Sequence, residues 1–316
     1  MSVSSAGGNL FGYTSFFRLP FSRWEESFRE AVARLSFLVL LIIGSATLLV
    51  ALVMVAREAY PALFAGSGLW GLLIADPWEP LAQPVRLGVR HAWLSTLAVT
   101  AIALAFAVPL GFGIAIFIAE IAPATIKKML QPCLELLAGI PSVVYGFFGY
   151  VTLVPWFEGT LEMATGESLL AAGLILAVMV LPFVASTSAE VLGAVPSDVK
   201  EAALALGVNR CCMTLRVLVR YAAPGMFAAV ALGLARALGE TLAVLMLAGN
   251  TLAIPGSLLD RGQPITALII TELGEAGIGS PKQHALFAAA LVLMAVILVV
   301  NAAIGWLKRR MLHGDA

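Results

Sequence analysis

The chain has 316 residues, 60% of them hydrophobic and 12% charged, with 19 basic side chains balanced by 19 acidic ones. Such a composition excludes an ordinary soluble globular domain and points to a membrane protein. Zero formal net charge gives no sign of a nucleic-acid partner, and none is expected.

The N-terminal stretch carries Arg18, Arg23, Arg29 and Arg34 together with Glu25, Glu26 and Glu30. Within it Trp24, Phe28, Ala31, Val32 and Leu35 recur at helical spacing, with Arg23, Glu26 and Arg29 between them. This pattern suggests an amphipathic helix lying in the cytoplasmic membrane interface within residues 1–34, with a plain cytosolic tail as the other reading. Leu35 to Ala56 follows, 22 residues without a charge, too long for a signal-peptide core and long enough to span a bilayer. Residues 57–90 then form a long connection with several Pro and Gly.

Five further spans are predicted. The second lies between Arg90 and Glu120, the third runs from Leu136 to Phe157, and the fourth from Ser168 to Ala189. The fifth extends from near Tyr221 to near Ala248, and the sixth from about His284 to Leu307. The expected fold is therefore an all-α membrane protein of six transmembrane helices, with a five-span core over 91–310 and a short tail at 311–316. Orientation follows from the basic residues in the connections. One side collects Arg18, Arg23, Arg29, Arg34, Lys127, Lys128, Lys200, Arg210, Arg216, Arg220, Lys308, Arg309 and Arg310, the other only Arg57, Arg86, Arg90, Arg261 and Lys282. Both termini are thus expected in the cytoplasm, and residues 57–90 and 249–282 outside, as surfaces for an extracytoplasmic partner.

Three histidines and three cysteines assemble no metal site, since Cys211 and Cys212 are adjacent, Cys133 is distant and no Cys-x-x-Cys occurs. The cysteines read as small apolar residues or free thiols. His91, His284 and His313 fall near span ends or in the tail and receive no role, and Glu120 and Glu190 read as interfacial charges at span ends.

Two segments carry chemistry. In the cytoplasmic connection 190–220, Ser197 or Asp198 is expected to cap a helix through Leu206, which Gly207 stops because glycine readily takes the left-handed conformation. A short helix outside the membrane, with small Ala202 and Ala203, suits close approach of a soluble partner; it equally suits a plain helical connection, and spacing alone leaves both open. In the fifth span, Arg236 and Glu240 stand in an otherwise apolar run. A charge at bilayer depth costs at least ~2.5–3.5 kcal/mol on insertion scales, so it faces a bundle interior or a water-filled path. Their spacing of four residues predicts a shared helical face. A purely structural buried ion pair contributes little net stability, which favours a role for Arg236, Glu240 and the neighbouring Thr241 in passing a charged solute.

The EAALALG run at 201–207 resembles the Glu-Ala-Ala signature of ABC-importer permeases. The full signature ends apolar-x-apolar-Pro, whereas this chain has Val217, Leu218, Val219 and Arg220, with Pro224 four residues later. ELLAGIPSVVYGFFGY at 135–150, RALGETLAVLMLAGN at 236–250 and PLGFGIAIFIAEIAP at 109–123 resemble the phosphate-specific permeases of the PstC type, over about residues 90–310. RLGVRHAWLSTL at 86–97 departs from that type.

The resemblance implies a type I ABC importer permease fold (MetI-like core) and a subunit of an ATP-driven phosphate importer in the bacterial inner membrane. It implies that Glu201, Ala202, Ala203 and Gly207 belong to a coupling helix that docks an ATPase subunit. It implies that Arg236 and Glu240 act in transport. AGIPSVVYG becomes a bent, closely packed segment, although packing glycines and a helix kink at Pro141 explain it as well. Expected partners are a second, PstA-like permease, two ATPase subunits, an extracytoplasmic phosphate-binding protein and the bilayer. No cofactor is expected in this chain, which has no Gly-x-x-x-x-Gly-Lys-Ser/Thr run, so ATP would sit on the partner subunits and the chain is no enzyme. In this reading Arg236 offers a planar donor fork to the anion, and Glu240 holds Arg236 when the path is empty. Alternatives are a permease for sulfate or molybdate, an ion-coupled secondary transporter with Glu240 as proton relay, and a structural or regulatory membrane subunit.

Overall fold

The computed structural model describes residues 21–64, 68–75, 77–80, 82 and 85–313, with side chains for all of these except 21–30, 75, 307–309 and 311–313. Arg18, residues 314–316 and the side chains of Trp24, Phe28, Lys308, Arg309 and His313 lie outside that description. The chain divides into two compact units, 1–54 and 55–316.

Helix α1 (Phe21–Phe64) is uninterrupted. No break separates the predicted amphipathic stretch from the predicted span, and the helix runs past Ala56 because a charge such as Arg57 ends an apolar run without ending a helix. In the first unit Phe37, Leu41, Leu48 and Met54 are all exposed, a surface suited to lipid or to another apolar surface.

In the second unit α2 (Gly68–Trp70) leads through a π-helical turn at Gly71–Ala75 into a minimal hairpin, β1 (Trp78–Glu79) antiparallel to β2 (Arg86–Leu87). Helix α3 (Arg90–Ile116) continues as a π-helical turn at Phe117–Ile121, close to the predicted second span. Then the prediction needs correction. The third span does not begin at Leu136. Residues 136–139 end α4 (Ala124–Gly139), and a separate α5 (Ser142–Leu161) leaves it at 89°. Pro141 lacks an N–H and drives Ile140 into extended backbone (φ −65°, ψ 130°), which stops α4. Tyr145 ties the corner by donating its hydroxyl to the Leu137 carbonyl at 2.9 Å.

Helix α6 (Leu169–Gly193) matches the fourth span and is capped by Ser168, whose hydroxyl accepts from the Ala171 N–H at 3.1 Å. Next come α7 (Ser197–Ala205), α8 (Arg210–Cys212), a π-helical turn at Met213–Leu218, α9 (Val219–Gly239) and α10 (Leu242–Leu247). Helices α11 (Ile265–Leu273) and α12 (Pro281–His313) complete the described chain. Among the described residues five helices are long and apolar enough to cross a membrane, or there are six spans if the bent α4–α5 pair counts as one.

The α3–α6 seam is the most extensive helix contact, and α9 packs on the same α6. Val99, Ala103 and Ala107 of α3 meet Leu176, Val180 and Val184 of α6 in the central core, joined by Ala237, Val244 and Leu247. Two further clusters close the ends. One joins Ala59, Trp78, Val89, Leu268 and Leu286 near the hairpin; the other joins Ile118, Leu134, Leu192, Ala203, Met213 and Leu218 around α7.

Small residues set the approach of these helices, as is usual where apolar collapse cannot drive association in lipid. A methyl added at Gly146 would lie 2.8 Å from the Ala243 Cα and 3.0 Å from the Met246 Sδ, so α5 and α10 touch almost backbone to backbone. Gly146→Val should therefore destabilise the protein by about 1–3 kcal/mol, the usual cost of overpacking. Thermal unfolding in detergent reads this as a lowered midpoint. Gly113→Val, where nothing lies within 4 Å, should leave the midpoint unchanged.

Candidate functional site

The predicted fifth span is broken. Helix α9 stops at Gly239, Glu240 is extended (φ −71°, ψ 135°), Thr241 takes φ −121°, ψ −60°, and α10 starts afresh at Leu242. Arg236 and Glu240 stand one turn apart at the end of α9, yet among the described residues the expected Arg236–Glu240 ion pair is not formed. Gly239 is the weak point, since glycine gives up the most backbone freedom in a helix. The break is stabilised from outside: Thr266 of α11 donates its hydroxyl to the Glu240 carbonyl at 2.8 Å. The Glu240 carboxylate turns forward, where it accepts weakly from the Ala243 N–H at 3.5 Å. The Thr241 hydroxyl reaches only the Gly239 carbonyl, at 3.4 Å.

Arg236 lies in the last turn of α9, where the partial negative charge of the free carbonyls favours a cation. That placement offsets part of the charge without a carboxylate. The guanidinium carbon stands 4.3 Å from the centroid of the Phe183 ring, on α6. The Arg236 Nε is buried and donates to nothing. A buried unpaired donor of a charged group is costly, and irregular backbone at membrane depth persists only where it is buried in protein or lines an aqueous path. The geometry is a half-buried cation, held over an aromatic face, with donor capacity unspent. It can receive an anion.

At the α7 end, Glu201 and Ala202 are exposed, as a docking surface requires, and Gly207 takes φ +78° as expected of the stop. Two expectations fail. Helix α7 begins at Ser197 behind Pro196, without a side-chain cap from Ser197 or Asp198. Ala203 is buried with Ile118 and Met213 in the chain's own cluster, so it seats α7 and does not face a partner. Helical periodicity turns Leu204 outward instead, and Leu206 at the end of the turn is 84% exposed. Asn209, downstream of the stop, caps α8 by accepting from the Cys212 N–H at 2.7 Å. Glu120 is no simple interfacial charge: its Oε1 lies 2.6 Å from the Lys200 Nζ of α7.

At the opposite end, residues 249–264 are strapped across the start of α6. The N–H groups of Ser168, Leu169 and Leu170 donate to the carbonyls of Leu247, Asp260 and Leu258 at 2.9, 3.0 and 2.8 Å. Arg261 pairs with Glu167 at 2.6 Å. The fixed strap leaves Leu252, Ile254 and Leu258 exposed. Phe183 and the Glu120–Lys200 pair were invisible to periodicity and motif alike; an aromatic in an apolar span and a glutamate at a span end are ordinary there.

Residues 107–313 match the family described as binding-protein-dependent transport system inner membrane component. The chain is 39% identical over 271 residues to the probable ABC transporter permease protein YqgH of Bacillus subtilis, covering 82% of this chain and 88% of that one. It is 34% identical over 297 residues to the phosphate transport system permease protein PstC of Haemophilus influenzae, covering 88% and 91%. Among solved structures, it resembles a chain of a bacterial alginate ABC transporter with TM-score 0.58, 14% identity and coverage of 92% and 98%. It also resembles a chain of the MetNI methionine ABC transporter with TM-score 0.54, 18% identity and coverage of 69% and 93%. At such identities the two structures establish the fold, that of type I importer permeases.

Among the described residues the Thr266 hydroxyl is the side-chain donor that reaches the Glu240 carbonyl from another helix. Thr266→Val should leave the Glu240 carbonyl without it and cost about 1–3 kcal/mol, the penalty for an orphaned buried acceptor. Thermal unfolding in detergent should show this with the α7 substitution Ala202→Ser, exposed and on another helix than the break, as a reference for stability.

Proposed function

This chain belongs to the binding-protein-dependent inner membrane components of ABC importers, and on that premise we propose that it is the permease subunit of a phosphate importer. The observation that carries this is Arg236, half-buried beside a broken span, without a carboxylate and with its Nε unspent. An oxyanion supplies what that cation lacks. A guanidinium matches tetrahedral oxygens bidentately and stays charged at every accessible pH. The relatives named phosphate permeases support phosphate over other oxyanions.

The α7 end faces the cytoplasm in this reading, since Lys127, Lys128, Lys200, Arg210, Arg216 and Arg220 all lie there. Glu201, Ala202, Leu204 and Leu206 are exposed on α7 and offer an ATPase subunit a ridge to grip. The strap at 249–264 then lies outside, where a phosphate-binding protein delivers its load. The apolar row Val143, Val144, Phe147, Phe148 and Val151 on α5 is exposed and suits the second permease across the path. ATP binds and is hydrolysed on the partner subunits, and this chain contributes half of an alternately opening pathway. Arg236 accepts the anion within it, with Glu240 and Thr241 beside the break as further path residues.

Arg236→Gln in the complete transporter should lower phosphate uptake at least about 100-fold, the scale of losing one partner of a desolvated charged contact, while the complex still assembles. Uptake of radiolabelled phosphate into proteoliposomes measures it, and normal uptake would end the proposal. Glu201→Lys, or Gly207→Leu at φ +78°, should release or uncouple the ATPase subunit, seen by co-purification and by ATP hydrolysis.

A further inference from the structure

Helix α7 is held between two π-helical turns. On one side Lys200 reaches Glu120 at 2.6 Å, in the turn Phe117–Ile121 that ends α3. On the other side the chain passes Gly207 and the Asn209-capped α8 into the turn Met213–Leu218, which opens α9. Ala203, one helical turn from Lys200, is buried with Ile118 and Met213 from those same two turns. One face of α7 thus grips both helices, while Glu201, Ala202 and Leu204 point away.

The ion pair is shielded. The Lys200 and Glu120 side chains are 27% and 10% exposed, against 51% and 49% for the surface pair Arg86–Glu79. Shielded partners are held far more firmly than surface ones, because breaking them strands a desolvated charge. A π-helical turn carries an extra residue and a poorer bond pattern, and it recurs at working positions in helices. The two outlets of α7 also converge. Helix α3 packs along α6, which carries Phe183, and α9 carries Arg236, the residue stacked on that ring, in its last turn.

We infer that the Lys200–Glu120 pair is a drive pin: it ties α7 to α3, so that displacement of α7 reaches the α3–α6 seam as well as α9. Without the pin α7 keeps its chain connections, through 194–196 back to α6 and through 206–209 on to α8, and the Ala203–Ile118 contact, and on these short loops it can tilt without carrying the end of α3 with it. This rests on the reading that α7 docks the ATPase subunit. Lys200 and Glu120 are positioning residues; neither touches the transported anion.

The test uses the complete transporter in proteoliposomes with its binding protein, radiolabelled inorganic phosphate as probe, and phosphate imported per ATP hydrolysed as readout. Glu120→Gln and Lys200→Gln should each retain the ATPase subunit and hydrolyse ATP, yet import per ATP should fall about tenfold, within the usual range of coupling between sites. The swapped pair Glu120→Lys with Lys200→Glu should recover most of it, since a double-mutant cycle isolates the pairwise contribution. A bridge that only stabilises would lower the unfolding midpoint and leave import per ATP unchanged. Unchanged import per ATP in both single variants overturns the pin. So does an intact complex that the swap fails to restore, or loss of the ATPase subunit from the Glu120→Gln complex. Gly207→Leu separates the two failures. If it releases the ATPase subunit while Glu120→Gln behaves as wild type, the pin falls and docking stands; if it changes neither binding nor import, docking falls and the pin with it.

Discussion

A helix that stops inside a membrane must find partners for the backbone groups it sets free, and most of this structure is arranged around one such stop, at Glu240–Thr241. The Glu240 carbonyl finds its partner in the Thr266 hydroxyl of α11. The Ala237 carbonyl accepts from the Glu240 N–H at 3.4 Å, and α10 takes up the chain two residues later. The stop turns Arg236 from a mid-helix charge into a helix-terminal one, which the end of α9 stabilises by its own field. That is why the guanidinium can stand over Phe183 without a carboxylate.

The same stop marks the limit of what residue spacing conveys. The spans, the charge asymmetry and the Gly207 turn are legible because each follows from local composition: apolar length, basic connections, and a residue free to take positive φ. The Pro141 corner was legible in part, since proline signals a break but not an 89° change of direction. That Arg236 and Glu240 do not pair was not legible, because spacing gives neither the end of α9 nor the direction the carboxylate takes beyond it. Ala203 failed for a related reason. Ala202 and Ala203 look alike in sequence, and only the position of Ile118 and Met213 decides which is buried. Glu120 and Lys200 are 80 positions apart, and no local pattern connects them.

Family membership and site geometry bear on different questions. Membership removes the ion-coupled secondary transporter, for this family works as the inner membrane component of binding-protein-dependent systems. The geometry addresses the solute. A proton relay at Glu240 would call for a carboxylate facing a polar file, yet this carboxylate turns toward the first N–H groups of α10 while its carbonyl is held by Thr266. A cation with unspent donors favours a multiply charged oxyanion over a neutral or cationic solute. Phosphate, sulfate and molybdate all satisfy that electrostatic demand, and the relatives' names, not the guanidinium, separate them.

How such a subunit moves is constrained by its seams. Along α6 and α9, side chains fit into notches left by glycine: a methyl at Gly225 would meet Val191 at 2.4 Å, and one at Gly233 would meet Val180 and Val184 at 2.9 Å. Gly173 of α6 likewise receives Ile102 of α3, where a methyl would come within 2.5 Å. Knobs in notches resist sliding, since close-packed interfaces hold discrete arrangements and do not deform continuously. Helices α3, α6 and α9 therefore travel as one block. Arg236 and Phe183, carried on α9 and α6, keep their contact unless an anion competes for the guanidinium. Motion is then confined to where the backbone bond pattern is poorer, the two π-helical turns beside α7, and to the exposed outer row of α5. A block that moves whole needs a grip on more than one of its helices, and α7 has that grip through Lys200 on α3 and through the continuous chain into α9.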